Sequence, residues 1–252
     1  MRTVIEICTG SMVCALAAIS AGAHRLELCS ALPLGGLTPS HGLMEAVIKA
    51  SSTPVNVLIR PRAGDFHYDQ REFQVMKADV FAAKALGANG IVTGMLNRDG
   101  KVDTCRMQVV IEMAHPMQVT FHRAFDSTPN LFEALDSVMG LGCDRILSSG
   151  GAVTAMEGMG ILKGLVDAAV GNISIMPGSG INPENLLRLI EYTGAHEFHA
   201  SASVVKESSM KHQNKLLHFG DPGLSSNAIK VTSASQVAAL CEIAKEFDLQ
   251  KS

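Results

Sequence analysis

The sequence predicts an α/β protein folded as a single (β/α)8 barrel with a long loop after its eighth strand. Three observations predict it. Short β-branched or apolar runs alternate with amphipathic, Ala- and Leu-rich runs from end to end. They form about eight strand–helix units, recurring at roughly 20–35 residues, and such alternation implies parallel pairing. A Gly recurs just after one helical run and just before the next strand, in GAHRLEL, GANGIV, GCDRIL and GAHEFH, and 252 residues is the usual size of eight units closed into a cylinder.

The units follow in order. Strand Thr3–Cys8 leads into helix Ser11–Ala21, His24–Leu28 into His41–Ser51, Val55–Arg60 into Asp69–Leu86, and Gly90–Thr93 into Thr104–Ala114. Gln118–His122 then leads into Leu131–Met139, Arg145–Ser148 into Ala155–Ala169, Ile173–Met176 into Glu184–Tyr192, and Glu197–Ala200 into Ser235–Phe247. Gly22, Gly87, Gly142 and Gly194 stand where a helix end needs a left-handed residue. Pro129 and Pro183 stand where a first helical turn accepts proline. An open doubly wound sheet is the alternative, but the turn after its first strand would carry a glycine fingerprint, and here it reads CTGSMV. No Pro/Ser-rich linker or charge block divides the chain, so residues 1–252 are expected to form one domain. The segment Val204–Lys230 is too long for an ordinary connection and suits a lid, a rim or an oligomer contact.

Composition removes several classes. With 47% hydrophobic and 18% charged residues the chain can bury a sizeable core, which excludes wholesale disorder. A net charge of −3 with no Trp and two Tyr lacks the electrostatic footprint of a nucleic-acid binder. Six scattered cysteines without a CxxC pair form neither a disulfide framework nor a zinc motif, and read as reduced thiols in the cytosol. The stretch MVCALAAISAGA resembles a signal-peptide core, but Glu6 precedes it, and it falls below the ~18 apolar residues of a membrane span. A soluble, untargeted protein is expected.

Barrel active sites occupy the rim where strands end and βα loops begin. The polar residues gather there: Glu6 and Cys8, Glu27 and Cys29, Arg60, Arg62 and Asp65, His122, Arg123 and Asp126, then His199 and Ser201. Alternation puts Glu6 with Cys8, and Glu27 with Cys29, on one face of each strand. Buried carboxylates need partners, and Arg60, Arg62 and Arg123 are the candidates. The set reads either as an ion-pair network plugging the barrel or as a catalytic rim. Cys8 and Cys29 are expected at matching heights on neighbouring strands, where two sulfurs suit Cu(I), although buried thiols often merely pack. Cys14, Cys105, Cys143 and Cys241 read as structural. The turns Ser148-Ser149-Gly150-Gly151 and Met176-Pro177-Gly178-Ser179-Gly180 offer backbone N–H groups to an anion, or else simply make tight turns. His122 and His199 are candidate acids or bases, whereas His24, His115 and His196 fall at the opposite face.

The strings RLELCSALPLGGLTPS, VLIRPRAGDFHYD, VTFHRAFD, RILSSGG, IMPGSGIN and EFHASA, in order along nearly the whole chain, resemble the signature blocks of the CutC family. The resemblance implies a TIM barrel, a cytoplasmic location, a homo-oligomer (dimer or tetramer) and a role in copper tolerance or trafficking. It implies Cu(I) ligands at Cys8 and Cys29, and rim residues at Glu6, Glu27, Arg60, Arg62, Asp65, His122, Arg123 and Asp126. Two positions depart from the pattern: Ala63 replaces a common Gly, and Gln213 stands where the family usually has Arg. Three readings follow. One is a homeostasis protein holding copper, and another is a scaffold whose Val204–Lys230 segment contacts other subunits. The third is an enzyme acting on a small phosphorylated or carboxylated metabolite. In that enzyme Arg60, Arg62 and the Gly178–Gly180 turn would hold the anion, with Ser149, Gly150, Ser179 and Ser201 beside it, and His122 or Glu27 would move a proton.

Overall fold

Strands of four to six residues, buried at nearly every position, are the signature of a parallel sheet covered on both faces. A computed structural model describes residues 2–212, 214, 216–217, 223–225 and 227–251. The order is β1 (Val4–Thr9), α1 (Met12–Ser20), β2 (Arg25–Leu28), α2 (His41–Ala50), β3 (Val55–Leu58), α3 (Gln70–Ala85), β4 (Gly90–Thr93) and α4 (Thr104–Ala114). It continues through β5 (Gln118–Phe121), α5 (Leu131–Gly140), β6 (Arg145–Ser148), α6 (Met159–Ala169), β7 (Ser174–Pro177), α7 (Leu186–Thr193) and β8 (Glu197–Ala200). A hairpin, β9 (Ser203–Glu207) with β10 (Ala228–Thr232), and α8 (Ala234–Gln250) complete it.

The eight parallel strands pair in the order β7-β6-β5-β4-β3-β2-β1-β8. Seven of the eight edges are ladders. The eighth is a single parallel bridge from Gly178 to His199, which brings β7 back to β8 and closes the cylinder. A Cβ at Gly178 would lie 2.5 Å from Leu147 Cδ1 and 3.3 Å from His199 Cβ, so the close approach needs a residue without a side chain.

Side chains of the sequence itself start the helices. Ser11, Ser40, Asp103, Asn130 and Ser233 each accept a backbone N–H at a helix N-terminus. Asp69 and Glu72 form a reciprocal capping box on α3. The four punctuating glycines all have positive φ, from 70° to 90°, as a left-handed cap requires. The prolines differ from expectation: Pro129 precedes the capping Asn130, and Pro183 lies in a turn three residues before α7. Core side chains from both layers form one continuous apolar cluster between sheet and helices.

The expected long loop is partly structured. Residues 203–207 and 228–232 pair antiparallel, from Ser203 with Thr232 to Glu207 with Ala228. The hairpin rests on α1, where the Thr232 amide donates to Cys14 Sγ at 3.3 Å. Gln213, which departs from the family pattern, lies outside the described residues. No described helix is long and apolar enough to cross a membrane.

Candidate functional site at the mouth of the barrel

Inside the barrel, polar residues fill two levels. At the lower level Arg25 links two carboxylates, its Nε 2.5 Å from Glu6 and its Nη2 2.5 Å from Glu197, while Arg145 Nε lies 3.0 Å from Glu197. This is the expected ion-pair plug with different cations. Arg60, Arg62 and Arg123 do not reach Glu6. Its guanidinium partner is Arg25, the residue directly level with it in the β1–β2 register. Burial pushes the Glu6 carboxyl up, but Arg25 and His199 outweigh this and hold it at about 2.

The upper level opens into the mouth. His199 Nδ1 lies 2.8 Å from Glu6 and 3.8 Å from Glu27. Burial opposes charge on His199, yet Glu27, Cys8 and Glu6 raise its imidazole well above the ordinary value. Glu27 is pushed up to about 7, chiefly by burial, with the neighbouring Glu6 charge adding to it against the pull of His199. Oxygens of Glu6 and Glu27 and a ring nitrogen of His199 lie within 4.8 Å of one another. The trio could seat a divalent cation only if His199 surrendered its proton, and its donors are harder than Cu(I) prefers.

Above this level lies a cavity of about 630 Å³. Of the predicted site residues, Cys8, Glu27, Arg60, His122, Arg123, Asp126, Ser179, Gly180, His199 and Ser201 line it. Residues from six strand ends thus meet in one place. Phe66, which sequence reading passed over, stands between two of them: the Arg60 guanidinium carbon is 5.1 Å from its ring centroid and the His122 ring 5.0 Å. Its signal was its place in the block that carries Arg60.

Cys29, Arg62, Ser149, Gly150 and Gly178 do not line the cavity. Arg62 turns outward, where Glu72 of the α3 capping box takes its Nε at 2.5 Å and Asp65 its Nη2 at 3.0 Å. The turn after β6 already holds an anion, the protein's own. Asp126 accepts from Ser148 Oγ (2.6 Å), Ser149 N (3.0 Å), Ser149 Oγ (3.0 Å), Gly151 N (3.1 Å) and Arg123 Nε (2.8 Å). Gly150 donates to Ser148 Oγ and packs on the backbone of Gly158.

The two cysteines are not level. The register pairs Cys8 with Glu27 and Thr9 with Leu28, which leaves Cys29 two positions farther along. Its amide and its Sγ both donate to the Thr9 carbonyl, at 3.0 and 3.5 Å. Cys29 is fully buried beside Leu58 and Val92, and burial raises its thiol strongly. Cys8 is nearly buried but reaches the cavity wall. All six cysteines are free. At the opposite end of the barrel a second cavity, about 640 Å³, is lined by Arg2, His24, His196 and Asp248, as expected for those histidines.

Fold and cavity together define a (β/α)8-barrel protein with a polar, acid–base-rich site at the C-terminal ends of its strands. The chain belongs to the CutC family, whose model matches residues 3–204. A human copper homeostasis protein CutC homolog is 43% identical over 244 residues, covering 96% of this chain and 89% of that protein. A CutC family protein of Chromobacterium violaceum is 42% identical over 242 residues, covering 96% and 98%. A crystal structure of CutC from Streptococcus agalactiae superposes with a TM-score of 0.75 at 30% identity, covering 79% of this chain and 98% of that one. A thiamine phosphate pyrophosphorylase from Pyrococcus furiosus, at 14% identity and a TM-score of 0.59, shares the barrel alone.

Proposed function

We propose that this chain serves copper homeostasis by taking Cu(I) as cargo at Cys8 and Cys29. The observation that carries the reading is a pair of free thiols on neighbouring segments, Cys8 on β1 at the cavity wall and Cys29 just past the end of β2. A two-residue offset across one strand spacing separates their Cα atoms by roughly 8 Å. That exceeds the ~7 Å limit for a disulfide, yet two side chains turned towards one ion can share it. Sulfur donors suit Cu(I). Copper must displace the proton of the buried Cys29 thiol and pass the Leu32–Leu34 turn that covers it. In this reading the protein works in the cytoplasm, where thiols stay reduced. It is one domain that assembles as a dimer or tetramer, through apolar side chains such as Val13, Leu16, Val205 and Ile229, which are exposed on α1 and the adjoining hairpin.

The test is Cu(I) uptake against a competing chelator. The parent protein takes the ion, and the double variant Cys8→Ser, Cys29→Ser does not. Equal affinity in parent and double variant overturns the assignment.

A further inference from the structure

The cavity holds a cation that the protein leaves uncompensated. Arg60 is 6% exposed and its partners are neutral: Nη1 donates to Leu34 O and Gly36 O and Nη2 to Gly64 O, each at 2.9 Å, and the buried Tyr68 hydroxyl lies beside the guanidinium. Arg25, Arg62, Arg123 and Arg145 each pair with a carboxylate, and among the described residues Arg60 does not. Carbonyl dipoles steady a guanidinium without cancelling its charge, and a buried cation without a counter-ion is costly. Three of its five N–H groups are used, and Nε has no partner.

His122 lines the same cavity at 5% exposure. Its Nδ1 accepts the Ala124 amide at 3.2 Å, so the neutral ring carries its proton on Nε2, and Nε2 has no partner. Burial, with the nearby Arg60 charge, keeps the ring neutral down to about pH 3. Gly94 makes the room, since a Cβ there would lie 2.6 Å from Nδ1. Phe66 packs against both side chains and fixes them relative to each other.

We propose that the mouth of the barrel binds a small 2-oxo carboxylate, its carboxylate set against the Arg60 guanidinium and its 2-oxo oxygen accepting the His122 Nε2–H. The Nε2–H is a donor only and, like Arg60 Nε, is sealed from solvent, so the ligand atom that reaches it as the Phe66 ring packed on both side chains shifts is an acceptor. The guanidinium keeps an N–H on Nη2 beyond its carbonyl partners, and its full charge suits a carboxylate oxygen. Glu27 and Asp126 line the same space and disfavour a dianion such as phosphate. A volume of about 630 Å³ leaves room for a substituent beyond the 2-oxo group. The site is independent of the copper reading: neither Arg60 nor His122 is a proposed copper ligand.

The experiment titrates the intact protein with the monoanions pyruvate and 2-oxobutyrate, with acetate and inorganic phosphate as comparators. Calorimetry and the melting temperature report binding, and ¹⁵N spectra of the imidazoles report His122. At least one 2-oxo acid binds and shifts the His122 Nε2–H signal, and acetate binds roughly 10-fold more weakly for want of one hydrogen bond. Arg60→Lys, which keeps the charge but loses the planar fork, weakens the 2-oxo acid about 10-fold. Metal-free protein kept with a Cu(I) chelator binds the 2-oxo acid as before, which separates this site from the copper proposal. Should Arg60→Lys fail to fold, the His122 signal of the unmodified protein decides alone. Acetate binding as tightly as the 2-oxo acids, phosphate binding more tightly, or none of the four binding overturns the proposal, as does saturation without a His122 shift.

Discussion

Arg25→Met is the substitution whose cost the structure fixes best. Arg25 stands between Glu6, whose side chain is 0% exposed, and Glu197, at 15%. Glu197 keeps Arg145 as a partner and Glu6 keeps only His199, at 2.8 Å, so the loss falls chiefly on the fully buried Glu6. Removing one partner of a buried pair costs about 3–5 kcal/mol. A second route gives the same order: holding Glu6 near 2 instead of its ordinary 4.5, which Arg25 does together with His199, is worth roughly 3.5 kcal/mol at about 1.4 kcal/mol per pKa unit. For a chain of this length the loss lowers the melting temperature by on the order of 10 °C. The pH dependence is also set. A carboxyl depressed in the fold stabilises it above the unfolded value of 4.5, and that stabilisation fades as pH falls towards about 2. The gap between parent and variant, measured by urea denaturation, is therefore widest near neutrality and narrows below pH 4.5. A loss under 1 kcal/mol at pH 7, or a gap that stays constant from pH 6 to pH 3, would refute the plug as the origin of this stability.

Glu27 is pushed up to about 7, so a protonated-carboxyl infrared band should fade as pH rises through that value and be absent from Glu27→Gln. Its effect on stability has the opposite sign to that of Glu6. A raised carboxyl favours the fold below 4.5 and loses that contribution as pH climbs through 7, so Glu27→Gln gains on the parent above neutrality. A band whose titration lies near 4.5 contradicts the buried environment. Asp126→Ala removes the acceptor of five hydrogen bonds and strands the amides of Ser149 and Gly151, which costs roughly 2–5 kcal/mol in denaturant melts. A cost under 1 kcal/mol there means the turn does not depend on its internal anion.

The barrel was legible because each of its units repeats one pattern. Strand cores such as VIEICT and VNVL are apolar enough for burial on both faces, and the glycine after a helix marks the only cap geometry that L-residues resist. The hairpin was not legible, since SVVKE pairs with AIKVT across twenty intervening residues and neither strand carries a local turn signal. Convergence of the rim residues was legible, but partner choice was not. Alternation tells which face a side chain takes, and register tells which neighbour it meets. A two-residue offset sufficed to put Cys8 beside Glu27 instead of Cys29, and to make Arg25 the partner of Glu6. The outward turn of Arg62 was hidden for a related reason: Glu72, which claims it, belongs to the next helix, where it also closes the capping box.

A hoop stitched firmly along seven edges and tacked once on the eighth slackens first at the tack. That tack is Gly178 against His199, so warming should loosen the lip of the mouth before it disturbs the helices outside. Amide exchange of Gly178, whose N–H donates to Ser148, set against exchange in the β1–β2 ladder, would show whether the molecule breathes along this line. The histidine that carries charge at the mouth would then be the first of the buried groups to meet water.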